Sequence, residues 1–116
     1  MIRAALVAVI TLGLFSSHSA ASPARLGVGA SEFHLMLSRG SVKAGRVVIQ
    51  LQNTGQDVHD LRLRRIGGNR IYSFPLTGPG NRATRTLKLL PGRYRLWCSV
   101  ADHEQLGMQA VLRVRR

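Results

Sequence analysis

Between Phe33 and Val114 apolar side chains recur at every second position, in short runs interrupted by Gly and Pro. Phe33, Leu35 and Leu37 alternate with His34, Met36 and Ser38, and Val47, Ile49 and Leu51 with Val48, Gln50 and Gln52. His59, Leu61 and Leu63 stand opposite Asp60, Arg62 and Arg64; Tyr94, Leu96 and Cys98 stand opposite Arg93, Arg95 and Trp97. Met108, Ala110, Leu112 and Val114 share a final face. A side-chain period of two belongs to a strand with one buried face, and an α-helix cannot bury it. Gly40 and Gly45 in "SRGSVKAG" offer the positive backbone angles of tight turns, and Pro91-Gly92 supplies another break. The stretch "FPLTGPGNRA" reads as an irregular loop between sheets. With no sustained 3.6-residue period, internal repeat or low-complexity tract, the chain is expected to be an all-β sandwich.

The N-terminus differs from this pattern. Met1, Ile2 and Arg3 precede an apolar run from Ala4 to Phe15, and "SSHSAASPA" follows, with Ser19, Ala20 and Ala21 fitting a small-residue cleavage site. The run is shorter than the about 20 residues of a membrane span. Residues 1–21 therefore read as a secretory signal peptide cut after Ala21 or Ala20, which makes the protein periplasmic or secreted. No cysteine lies near the cut, so a lipid anchor is not expected. Removal of the signal leaves 95 of the 116 residues, enough for one small domain. Residues 22–30 read as a flexible leader, and 31–116 as the folded domain.

Seventeen Lys and Arg face five Asp and Glu, a formal charge of +12 that falls to +11 when Arg3 leaves with the signal. Such a field favours acidic partners. For an exported domain these are an acidic redox protein, a membrane-bound respiratory partner or an anionic membrane surface. Nucleic acid is not expected, because three Phe, two Tyr and one Trp make a poor stacking series. The arginines at 62, 64, 65 and 70 fit either a docking surface or the solvated face of a sheet. A monomer is expected.

Cys98 is the sole cysteine, so no intramolecular disulfide can form, and a free thiol in an oxidising compartment must be buried or occupied. It opens the spacing C-x4-H-x4-M, with His103 and Met108. By strand phase His59, Cys98 and Met108 point inward, while His103 lies in the loop joining two strands. Each could singly be a core or turn residue. Together, two imidazoles, a thiolate and a weak thioether suit copper, since soft sulfur favours Cu(I) and imidazole also holds Cu(II). Zinc competes less well, because methionine is not among its usual ligands. His34 and Met36 face outward by phase and are not assigned to a site.

"GRYRLWCSVADHEQLGMQAVLRV", with "AGRVVIQLQNTGQDVHDL", resembles the cupredoxins, small blue-copper proteins of the plastocyanin, azurin and rusticyanin type. The resemblance spans about Phe33 to Val114. It implies a Greek-key β-sandwich, one copper ion cycling between Cu(I) and Cu(II) on His59, Cys98, His103 and Met108, and single-electron transfer. It also implies an exposed edge of His103 in an apolar patch as the electron port. The residue after the first histidine is often Asn in that family and ties the ligand loops together; here it is Asp60. Ala101 and Asp102 stand where Pro-Gly is common. A copper carrier using the same ligands is the alternative function, and a metal-free sandwich binding an acidic partner is a further one. An enzyme is not expected, since His34 is the one mature histidine left for another centre.

Overall fold

The computed structural model describes residues 1–2, 4–16 and 21–116; Ser19 and Ala20 of the expected cleavage site lie outside the described residues. Among the described residues no helix is long and apolar enough to cross a membrane. Nine strands follow in order: β1 Ala24–Ser31, β2 His34–Leu37, β3 Ser41–Lys43, β4 Gly45–Asn53, β5 His59–Arg65, β6 Ile71–Thr77, β7 Arg82–Leu89, β8 Gly92–Trp97 and β9 Gln109–Arg115. They build a four-stranded sheet, β2-β1-β4-β7, packed on a five-stranded one, β3-β9-β8-β5-β6. The β1–β4 and β3–β9 pairs are parallel and the others antiparallel.

The core is the set of inward phases. Val47, Ile49 and Leu51 of β4 are fully buried, as are Leu61 and Leu63 of β5, Leu96 of β8 and Leu112 of β9. Each such side chain removed from water contributes roughly 1.5–3 kcal/mol. In register, Leu63 meets Leu96, and Tyr94 meets Leu112, so matched apolar rows close the sandwich from one sheet. Tyr94 satisfies its hydroxyl at the turn, accepting from the Leu90 amide and donating to the Leu90 carbonyl.

The structure departs from the sequence expectations in three places. Residues 22–30 are not a flexible leader. From Ala24 they form β1, whose register with β4 runs from Ala24↔Val47 to Ala30↔Asn53, and Leu26, Val28 and Ala30 enter the core. The intervening glycines let β2 approach: a Cβ on Gly27 would lie 3.5 Å from that of Ser38, whose Oγ accepts from the Gly27 amide at 2.8 Å. "FPLTGPGNRA" is mostly strand as well. Phe74–Thr77 complete β6, and Arg82–Ala83 open β7. Pro75 is tolerated because β6 is an edge strand, where a missing amide N–H need not break a ladder. Of the two turn glycines, Gly45 takes a φ of 109° while Gly40 is not among those with positive φ.

This topology fixes the site. The start of β5, the end of β8 and the start of β9 come to the same end of the five-stranded sheet, where Trp97 is paired with Gln109 and Cys98 N donates to Met108 O at 3.1 Å.

Candidate metal centre

Cys98 follows the last residue of β8 and keeps that strand's inward phase, while His59 opens β5 beside it; both are completely buried. His103 is 7% exposed, on the turn that joins β8 to β9. The turn is wound by its own backbone: His103 N donates to Val100 O, Leu106 N to Asp102 O, and Met108 N to His103 O. Asp102 takes a φ of 62°, a left-handed conformation that Asp tolerates better than most residues. The chain thereby turns at Asp102 without Pro-Gly.

Three donor atoms converge. His59 Nδ1 and His103 Nδ1 are 3.2 Å apart, and Cys98 Sγ lies 3.9 Å from the first and 3.7 Å from the second. A triangle with those sides has its equidistant point about 2.1 Å from every corner, inside the roughly 2.0–2.3 Å that metal–nitrogen and metal–sulfur bonds require. The donor set thus fits one soft or borderline ion without rearrangement. Met108, the fourth predicted residue, is fully buried at the foot of β9, with its backbone bonded to both Cys98 and His103.

Each imidazole turns its other nitrogen to a carboxylate. His59 Nε2 is 3.0 Å from Glu32 Oε1, which also accepts the amides of Gln56 at 2.8 Å and Asp57 at 2.7 Å. The Asp57 amide, aided by that of Gln56 and by His59, holds the Glu32 carboxyl down at about 2 against partial desolvation. His103 Nε2 is 3.7 Å from Asp57 Oδ2, and the Phe33 ring packs edge-on against the His103 ring with centroids 5.0 Å apart. Outer carboxylates of this kind fix the tautomer and orientation of a ligating histidine. Burial pushes the Cys98 thiol up, opposed by the backbone amides of Asp60 and Val100, so its thiolate is formed most readily when a cation compensates it.

Asp60 is buried and accepts from Ser99 twice, from the amide at 2.6 Å and from the hydroxyl. The loop tie expected at this position is therefore made, by a carboxyl group instead of an amide. Glu32 and Asn53 were not legible as site residues. Asn53 Nδ2 donates to Asp57 O and Thr77 O, and its Oδ1 accepts from Gly55 N, which shapes the loop ahead of His59. Gly55 must lack a side chain, because a Cβ there would collide with the Glu32 carboxylate. The one available sequence signal was an isolated acid in "SEFH" in a chain poor in acids.

No protein-family model matches the chain, and no curated sequence does. Solved structures do. Auracyanin A from Chloroflexus aurantiacus, described as a "blue" copper protein, superposes with a TM-score of 0.66 at 20% identity, over 81% of this chain and all of that one. The dithionite-reduced auracyanin of Roseiflexus castenholzii gives 0.62 at 17%, over 84% and all of that chain. A multicopper oxidase gives 0.58 at 14%, with 78% of this chain spanning 43% of that one. These likenesses establish the cupredoxin-like β-sandwich.

Proposed function

We propose that this chain is a type 1 copper protein that carries single electrons. The observation that carries the proposal is the triangle of His59 Nδ1, His103 Nδ1 and Cys98 Sγ, closed to within 3.9 Å on every side and buried. The fold shared with auracyanins supports it. His59, Cys98 and His103 would hold the ion, with Met108 as a weak fourth donor. Copper supplies one-electron redox chemistry, and a trigonal His2Cys set lies between the geometries its two oxidation states prefer.

The chain's own residues hold that geometry. Glu32 orients the His59 ring, Phe33 packs against the His103 ring, Asp60 pins the backbone that follows the thiolate, and burial of the donors keeps water away. Donors buried this fully favour an ion that stays in place while its charge changes, over a carrier that hands copper on. A free-standing enzyme is disfavoured because His34, exposed on β2, is the one mature histidine outside the triangle. We place the protein outside the cytoplasm on the strength of residues 1–21.

The test is the absorption spectrum after Cu(II) is added to the purified protein. An intense thiolate-to-copper band that bleaches on reduction and is missing in Cys98→Ser is expected. Tight Cu(I) binding without such a band would favour the carrier.

A further inference from the structure

The outward side of the five-stranded sheet is a lattice of cations. Register places Arg93 beside Arg113, Arg64 beside Arg95, and Lys43 beside Arg115, with Arg62 next to Trp97 in the row nearest the metal centre. Like charges directly opposite one another on a sheet are destabilising. The outward side of the other sheet has one such pair, Arg46 with Lys88 at one end, and uncharged pairs over its middle, Val48 with Thr86 and Gln50 with Thr84. The five-stranded sheet differs in carrying opposed cations in three pairs, through its middle rows as well as at its end.

All five acids of the chain, Glu32, Asp57, Asp60, Asp102 and Glu104, lie at the metal end. Only Glu104 reaches the lattice, where Arg95 binds its carboxylate and Gln109 Oε1. The face thus already accepts one carboxylate. Among the described residues, Arg62 Nε is buried with no hydrogen-bond partner.

We propose that this lattice is the docking surface for an acidic protein, whose clustered carboxylates take the places the chain's own acids leave empty. Charge complementarity supplies the attraction and the steering. A protein is favoured over a bilayer by the apolar groups present. Trp97 is half-buried with the Arg95 guanidinium 5.3 Å over its ring, so it does not project as a membrane wedge would. Val111 and Ile71, each about half exposed, sit at opposite ends of the Arg95–Arg64 row. Arginine and tryptophan framed by small apolar patches are what interface centres are made of. The acidic metal end repels the same partner, so docking falls on the flank of the sandwich. Because Trp97 precedes Cys98, a docked partner stands one residue from the thiolate. The proposal rests on the charge pattern and holds with or without copper.

The test is an NMR amide-shift titration of the full mature protein with poly-L-glutamate, repeated with phosphatidylglycerol vesicles. Poly-L-glutamate is expected to shift Arg62, Arg64, Arg93 and Arg113 first. The triple variant Arg64→Gln, Arg93→Gln, Arg113→Gln is expected to weaken binding at least tenfold, while Arg25→Gln, Arg46→Gln, Arg82→Gln, equal in charge removed, changes it less than threefold. Equal weakening in both variants, shifts centred on the loops of His59 and His103, or tighter binding of the vesicles on this face would each overturn the proposal. Thermal midpoints no lower than that of the wild type in both variants keep misfolding from imitating the result.

Discussion

The metal end and the outward face of the five-stranded sheet handle charge in opposite ways. At the metal end four of the five carboxylates have a named partner: Glu32 holds His59 and two amides, Asp57 approaches His103, Asp60 takes Ser99 twice, and Glu104 meets Arg95. On the sheet face arginine stands opposite arginine in two successive rows. Polar groups that fix the geometry of the metal end are satisfied inside the chain, whereas on the sheet face Arg95 finds Glu104 and Gln109 and, under the proposed docking, its neighbours are left for another molecule. Satisfaction, more than residue type, separates the two regions.

Substitutions at four positions sharpen that contrast, in descending order of effect. Cys98→Ser removes the thiolate corner and is expected to abolish the thiolate-to-copper band outright, as read by visible spectroscopy. Glu32→Gln leaves the three donors but loosens the His59 ring, and about 10- to 100-fold weaker copper affinity is expected from competition titrations. The same variant tests linkage. The Glu32 carboxyl is lowered on folding from 4.5 to about 2, so its stabilisation is fully present above pH 4.5 and is lost as pH falls toward about 2. Denaturant midpoints of wild type and Glu32→Gln should therefore converge across that window.

Asp60→Ala orphans the Ser99 amide and is expected to cost about 1–3 kcal/mol in chemical denaturation, with Asp60→Asn recovering most of the loss. The smallest effect has the opposite sign. Arg93→Gln relieves repulsion across the Arg93–Arg113 pair and should stabilise the free protein by roughly 0.2–1 kcal/mol. A destabilising result there would show that the lattice serves the fold and would erase the contrast.

How far the sequence could be read follows from the same physics. His59, Cys98 and Met108 were legible as inward residues because a strand with one buried face enforces alternation, and Leu61, Leu96 and Leu112 on the same strands confirm the phase. The strand β1 was not, because Gly27 and Gly29 flatten the contrast between its faces and mimic a loose segment. Pro75 hid β6, since what excuses proline there is the edge position, which only the completed sheet reveals. Glu32 escaped because its partners lie 24–27 positions away in the chain, and no local pattern announces such a contact. For the arginines, alternation put 62 and 64 on one face, but their neighbours Arg93, Arg95 and Arg113 come from strands whose order had to be seen.

Pro75 bears on behaviour at high concentration. An open sheet edge can template the addition of another strand, and each edge of this sandwich blunts that growth differently. Beside Pro75 the β5–β6 register slips between His59 and Leu61. The edge strands β2 and β3 are only four and three residues long, and β7 carries Arg82, Arg85 and Lys88. In a chain whose regular structure among the described residues is all strand, each of these devices works against edge-to-edge stacking.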